Sequence, residues 1–124
     1  QMCIRDSNEA EREEIIELTR GWALAAPEVL PFEIGNALSA LMRRELLSLR
    51  EAQAAWRACS SIAVELRSVD VNTALGIAAE QGMYAYDAYY LQCAAGLGAP
   101  LLTLDRRMER VAAAMGIKSV EVGR

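Results

Sequence analysis

From Trp22 onward, short apolar runs alternate with longer stretches that carry helix start and stop signals. That alternation restricts the fold more than any other feature of the chain. "WALAAP" and "PLLTL" predict buried strands by their unbroken apolar character. "IAVELRSV", alternating and β-branched, predicts a third, and "KSVEV" a final one. Helical segments separate them, so neighbouring strands cannot pair through tight hairpins. The arrangement that remains is a parallel sheet with helices on its faces.

The helices are marked by their ends. Asn8 followed by Glu11 has capping-box spacing, acids fill the next turns, and Gly21 supplies a stop. In "LPFEIGNALSALMRREL", Pro31 suits a first helical turn, and Ile34, Ala37, Leu38 and Leu41 form an apolar stripe at helical spacing. Ser48 with Glu51 is a second capping-box pair, opening "EAQAAWRACSS". "NTALGIAAEQG" predicts a helix ending at Gly82, and "YDAYYLQCAAG" one ending at Gly96 or Gly98. "DRRMERVAAAMG" predicts the last, closed by Gly116. At 124 residues without linker, repeat or low-complexity tract, the chain reads as one domain.

Composition removes whole classes of chemistry. Histidine is absent, which excludes Ser-His and Cys-His nucleophilic machinery and histidine-rich metal centres. Cys3, Cys59 and Cys93 are odd in number and far apart, as expected for free thiols of a cytoplasmic protein rather than a zinc site or disulfide framework. A formal net charge of −4 leaves no broad basic face, although Arg43-Arg44 and Arg106-Arg107 with Arg110 are local clusters. No apolar run is long enough to span a membrane, and Asp6, Glu9 and Glu11 interrupt any signal peptide.

Carboxylates are therefore the candidate chemistry. Between Glu80 and Asp105 the only formally charged side chain is Asp87, set among Tyr84, Tyr86, Tyr89 and Leu91. Asp105 directly follows the "PLLTL" strand, and parallel sheets build sites beyond the carboxyl ends of their strands. Glu33 stands in the first turn of its own helix. Each also has a simpler reading: Asp105 as an N-cap, Asp87 and Glu33 as first-turn acids favoured by the helix dipole. Together they start three helices, and such starts gather at one edge of a layered α/β fold. Converging carboxylates repel, and a hard divalent cation such as Mg²⁺ or Mn²⁺ relieves the repulsion. Helix N-termini are expected to hold the ligands ionised by lowering their pKa values.

"LPFEIGNAL", "AYDAYYLQCA" and "APLLTLDRRM" resemble, in order and spacing, the motifs of PIN-domain ribonucleases, especially VapC-like toxins of toxin–antitoxin pairs. The resemblance spans roughly residues 22 to 122 and implies a three-layer α/β/α sandwich with a small parallel sheet. It implies metal-assisted hydrolysis of RNA with Glu33, Asp87 and Asp105 as catalytic metal ligands for Mg²⁺ or Mn²⁺. It further implies a homodimer inhibited by a cognate antitoxin protein, with no membrane association. Relatives usually begin with a central strand ending in a metal-binding aspartate, then a short helix. Here that first strand and first helix are missing or degenerate: "QMCIRDS" takes their place, read as an atypical, non-native leader over residues 1–7 ahead of a PIN-like domain over 8–124. If "MCI" forms a strand, Asp6 reaches the site. Tyr84 stands where many relatives carry Ser or Thr, which alters helix capping or substrate access.

Asn36 and Thr103 are candidates for supporting Glu33 and Asp105, or for ordinary capping and packing. Arg106 and Arg107 either contact RNA phosphate or form a solvated first turn. Trp22, Trp56 and the tyrosines at 84, 86, 89 and 90 read as core or dimer contacts before base-stacking platforms. Two further functional readings stay open: a non-catalytic scaffold that only dimerises or binds an antitoxin, and a mostly helical interaction module in which all three acids merely cap helices.

Overall fold

The computed structural model describes Glu13, Glu17, Arg20 and residues 22–120. Glu13 and Glu17 are helical, and Arg20 pairs with Glu17 at 3.5 Å on the surface. The rest of the predicted N-terminal helix, the leader over 1–7 and the end of "KSVEV" lie outside the described residues.

In chain order the elements are β1 (Leu24–Pro27), α1 (Leu30–Arg43), α2 (Leu49–Ser60), β2 (Val64–Arg67), α3 (Val71–Gln81), α4 (Ala85–Leu97), β3 (Leu101–Leu102), α5 (Arg106–Ala114) and β4 (Ser119–Val120). Both strand pairings are parallel, as the alternation of strand and helix requires. Leu24 stands opposite Val64 and Pro27 opposite Arg67; Leu101 stands opposite Ser119 and Leu102 opposite Val120. Among the described residues the parallel sheet is divided into two such pairs, β1-β2 and β3-β4. The fold is mixed α/β of the expected α/β/α kind.

α4 organises the core. It packs extensively on α3 and also meets β1 and β3. Its apolar side chains run round the helix rather than along one stripe, the pattern of a helix buried on several sides. Tyr90, Leu91 and Ala94 of α4 join Leu101 of β3, Met108 and Ala112 of α5, and Ile117 in the main cluster. Each fully buried large side chain there stabilises the fold by roughly 1.5–3 kcal/mol of apolar transfer. Among the described residues, no helix is long and apolar enough to cross a membrane.

The helix ends follow local chemistry closely. Ser48 and Glu51 form both halves of the capping box, at 2.9 and 3.1 Å. α3 begins on Asp70, whose carboxylate accepts from the N–H and hydroxyl of Thr73. α4 ends on Gly98 rather than Gly96, because Gly98 takes the left-handed conformation (φ 62°) that closes a helix. α1 departs from expectation: it stops at Arg43, and Glu45 adopts φ 60° without being glycine, allowing the Leu46 N–H to reach the carbonyl of Leu41. "PLLTL" contributes only Leu101 and Leu102 to a strand.

An apolar cavity of about 340 Å³ is lined by both strand pairs and α4, with Leu24, Ala26, Leu30, Tyr90, Ala94 and Leu101 among its walls. Glu33, Asp87 and Asp105 are not part of that lining. Cys59 and Cys93 also border it as free, half-buried thiols, and burial pushes both up from the ordinary thiol range.

Candidate functional site

Asp105 is set by the end of β3 and the start of α5. It is the N-cap of α5, with extended backbone, and its Oδ1 accepts from the N–H groups of Arg107 at 2.8 Å and Met108 at 3.4 Å. Its own N–H donates to Thr103 Oγ1 at 3.0 Å. Thr103 is almost completely buried, so the backbone of Asp105 is tied to an immobilised hydroxyl. Thr103 is thus packed in the interior and makes a local bond to the backbone of the α5 N-cap. Asn36, by contrast, is exposed on α1, and its backbone carbonyl accepts from Ser39 Oγ.

Asp87 occupies the first turn of α4 and is half-buried. The expectation that a helix N-terminus holds it strongly acidic is corrected: its carboxyl is raised above the ordinary range. Burial is the main cause, the negative charge of Asp105 adds to it, and the Arg107 guanidinium offsets part of the rise. Loss of hydration and like-charge repulsion both disfavour the ionised form. The two aspartates, on different helices, are thus electrostatic neighbours.

Arg107 completes this crossing. Its Nη2 donates to the Gly82 carbonyl at 2.8 Å, tying the first turn of α5 to the turn between α3 and α4. No local pattern links position 107 to position 82, so sequence reasoning had no signal for this bond. It left Arg107 between a phosphate contact and a solvated residue.

Glu33 lies in the first turn of α1, half-buried, with Oε1 sealed from solvent. Among the described residues, no three acidic, cysteine or histidine side chains gather closely enough to hold one metal ion. Of the three acids, Asp87 and Asp105 interact electrostatically; Asp6 lies outside the described residues. The pair nevertheless has the donor chemistry of a hard divalent cation, since Mg²⁺ is commonly held by one or two carboxylates with water and substrate phosphate completing its shell. Burial is the main cause of the raised carboxyl of Asp87; the smaller part that comes from Asp105 is a repulsion that such a cation would relieve.

The aromatic residues divide unexpectedly. Tyr90 is core and Tyr89 is half-buried, but Tyr84 is 88% exposed and Tyr86 57% exposed, so the core reading fails for those two. Trp22 and Trp56 are exposed as well. Tyr84 is the N-cap of α4 and makes no side-chain capping bond, as its replacement of Ser or Thr implied.

The chain is a mixed α/β protein with parallel strands and an aspartate in the opening turn or cap of each of two helices. The family model described as PIN domain matches residues 3–114, and the chain belongs to the PIN domain family. Members are generally metal-dependent nucleases that act on RNA and often dimerise. A comparison with curated proteins found no match.

Proposed function

We propose that this chain is a metal-dependent endoribonuclease of the toxin–antitoxin type, a VapC-like PIN domain extending over residues 8–124 and working in the cytoplasm. Membership of the PIN family together with the electrostatic pairing of Asp87 and Asp105 carries the reading. Asp87 and Asp105 would hold Mg²⁺ or Mn²⁺, with Glu33 as the third acid. The metal supplies activation of water and neutralisation of charge on a scissile phosphodiester.

The chain's own groups have defined tasks in this reading. Thr103 and the α5 backbone orient Asp105. Arg107 moderates the repulsion between the aspartates and fixes the spacing of their helices. A second copy of the chain and a small antitoxin are the proposed protein partners.

The test is cleavage of RNA by the purified chain with added Mg²⁺ or Mn²⁺, compared with Asp87→Asn of retained fold. Activity in the parent and its loss in the variant support the reading; a parent inert with both metals overturns it.

The lack of a three-acid group among the described residues favours a second reading, a PIN scaffold active only in dimerisation or antitoxin binding. A calorimetric Mg²⁺ titration separates the two. A saturable site abolished by Asp87→Asn counts against the binding-only scaffold.

A further inference from the structure

Arg107 makes two hydrogen bonds that lead to different elements. Its backbone N–H donates to Asp105 Oδ1 at 2.8 Å, and its guanidinium Nη2 donates to the Gly82 carbonyl, also at 2.8 Å. One residue therefore connects the carboxylate at the α5 N-cap to the turn that runs through Met83 and Tyr84 into α4, where Asp87 stands in the first turn.

The far end of this connection is itself fixed. Gly82 closes α3 in the left-handed conformation (φ 65°), and the N–H groups of Gly82 and Met83 both donate to the Ala78 carbonyl. Met83 packs against the main core cluster, and α3 lies firmly on α4. A guanidinium bonded to such a turn sets how far the start of α5 stands from the start of α4.

That spacing matters because divalent cations differ in size and tolerance. Mg²⁺ takes oxygen ligands at about 2.0–2.1 Å in a near-octahedral shell, whereas Ca²⁺ accepts about 2.3–2.6 Å and irregular shells. Two carboxylates held at one separation discriminate between such ions; two that can shift apart or together do not.

Resting on the metal-dependent reading above, we propose that Arg107 is a positioning residue that sets cation selectivity, its bond to Gly82 holding Asp87 and Asp105 at a spacing that favours Mg²⁺ or Mn²⁺ over Ca²⁺. Its charge works in a different sense. The guanidinium acts on Asp87 electrostatically, and a positive group near two carboxylates weakens the binding of every divalent cation alike. Losing the charge raises both affinities, while losing the brace lowers that for Mg²⁺ relative to Ca²⁺. The ratio of the two affinities isolates the brace.

Calorimetric titration of the full chain with Mg²⁺ and separately with Ca²⁺, without RNA, reads that ratio. Arg107→Met removes the guanidinium but keeps an unbranched stem and the backbone N–H that serves Asp105. It should reduce the preference for Mg²⁺ over Ca²⁺ about tenfold, the usual scale for a group that orients a metal ligand. Arg106→Met removes an exposed charge one position away and leaves the Arg107 bond in place. It should change both affinities by the same factor and leave the preference as in the parent. Circular dichroism confirms that these surface variants fold.

If the parent does not distinguish Mg²⁺ from Ca²⁺, or if Arg107→Met changes both affinities by one common factor, the selectivity role is overturned and the ribonuclease reading is untouched. A parent that binds neither cation also overturns it, and the ribonuclease reading then stands or falls on the cleavage assay.

Discussion

Thr103 Oγ1 accepts the backbone N–H of Asp105 at 3.0 Å, joining an almost fully buried residue to an exposed one across the end of β3. The bond determines how the α5 N-cap leaves the strand. Replacing Thr103 with Val preserves shape but leaves that N–H without its acceptor and places a methyl where a hydroxyl stood. The expected loss is about 1–2 kcal/mol of stability, read by urea denaturation. RNA cleavage should fall further than the small change in folded fraction explains, because Asp105 loses its anchor.

Asp87 gives a pH test whose sign is fixed by its environment. Its folded carboxyl titrates above the unfolded one, chiefly through burial and secondarily through Asp105. The folded state therefore binds that proton more tightly, and stability falls as pH rises from the ordinary carboxylate value through the raised one. Asp87→Asn should melt roughly 1–3 °C above the parent at neutral pH and show no advantage near about pH 3. Added Mg²⁺ should reverse the order at neutral pH, because only the parent retains the ligand and is stabilised by mass action.

The N-cap of α4 offers stability that the chain does not use. Tyr84→Ser introduces a hydroxyl able to accept from the first-turn N–H groups, and is expected to stabilise the protein by about 1 kcal/mol. Thermal unfolding measures the gain.

Two left-handed positions should respond in opposite directions. Gly98, at φ 62°, closes α4, and Gly98→Ala is expected to cost about 1 kcal/mol because a Cβ there crowds the backbone. Glu45, at φ 60°, already carries that strain, so Glu45→Gly should stabilise by up to about 1 kcal/mol. Denaturant midpoints of the two variants, measured together, check both signs.

Leu91 is fully buried at the centre of the α4 cluster. Leu91→Ala should destabilise the chain by about 2–5 kcal/mol, through lost transfer energy and the cavity left behind. Urea unfolding reads this directly. For a domain of this size the variant is expected to be only marginally folded at ambient temperature.

The sequence by itself determined the order of the elements from β1 onward, the parallel sense of their pairing and most helix ends. Ser48 with Glu51, Pro31, Asp105 and Gly98 act through groups a few residues away, so their signals are written locally. The early stop of α1 was not legible, because Glu45 carries none of the preference for left-handed backbone that marks a glycine. The two-residue length of β3 was hidden as well, since apolar content reports burial and not ladder hydrogen bonds.

Tertiary structure decided what the site is made of. The approach of Asp87 to Asp105, the bond from Arg107 to Gly82 and the exposure of Tyr84 and Tyr86 all depend on how α3, α4 and α5 cross. Those relations arise from packing between residues distant in the chain, whereas periodicity and capping chemistry describe only neighbours. The carboxyl of Asp87 shows the difference most directly: its first-turn position is written in the sequence, while the burial and the second carboxylate that raise it are imposed by the fold.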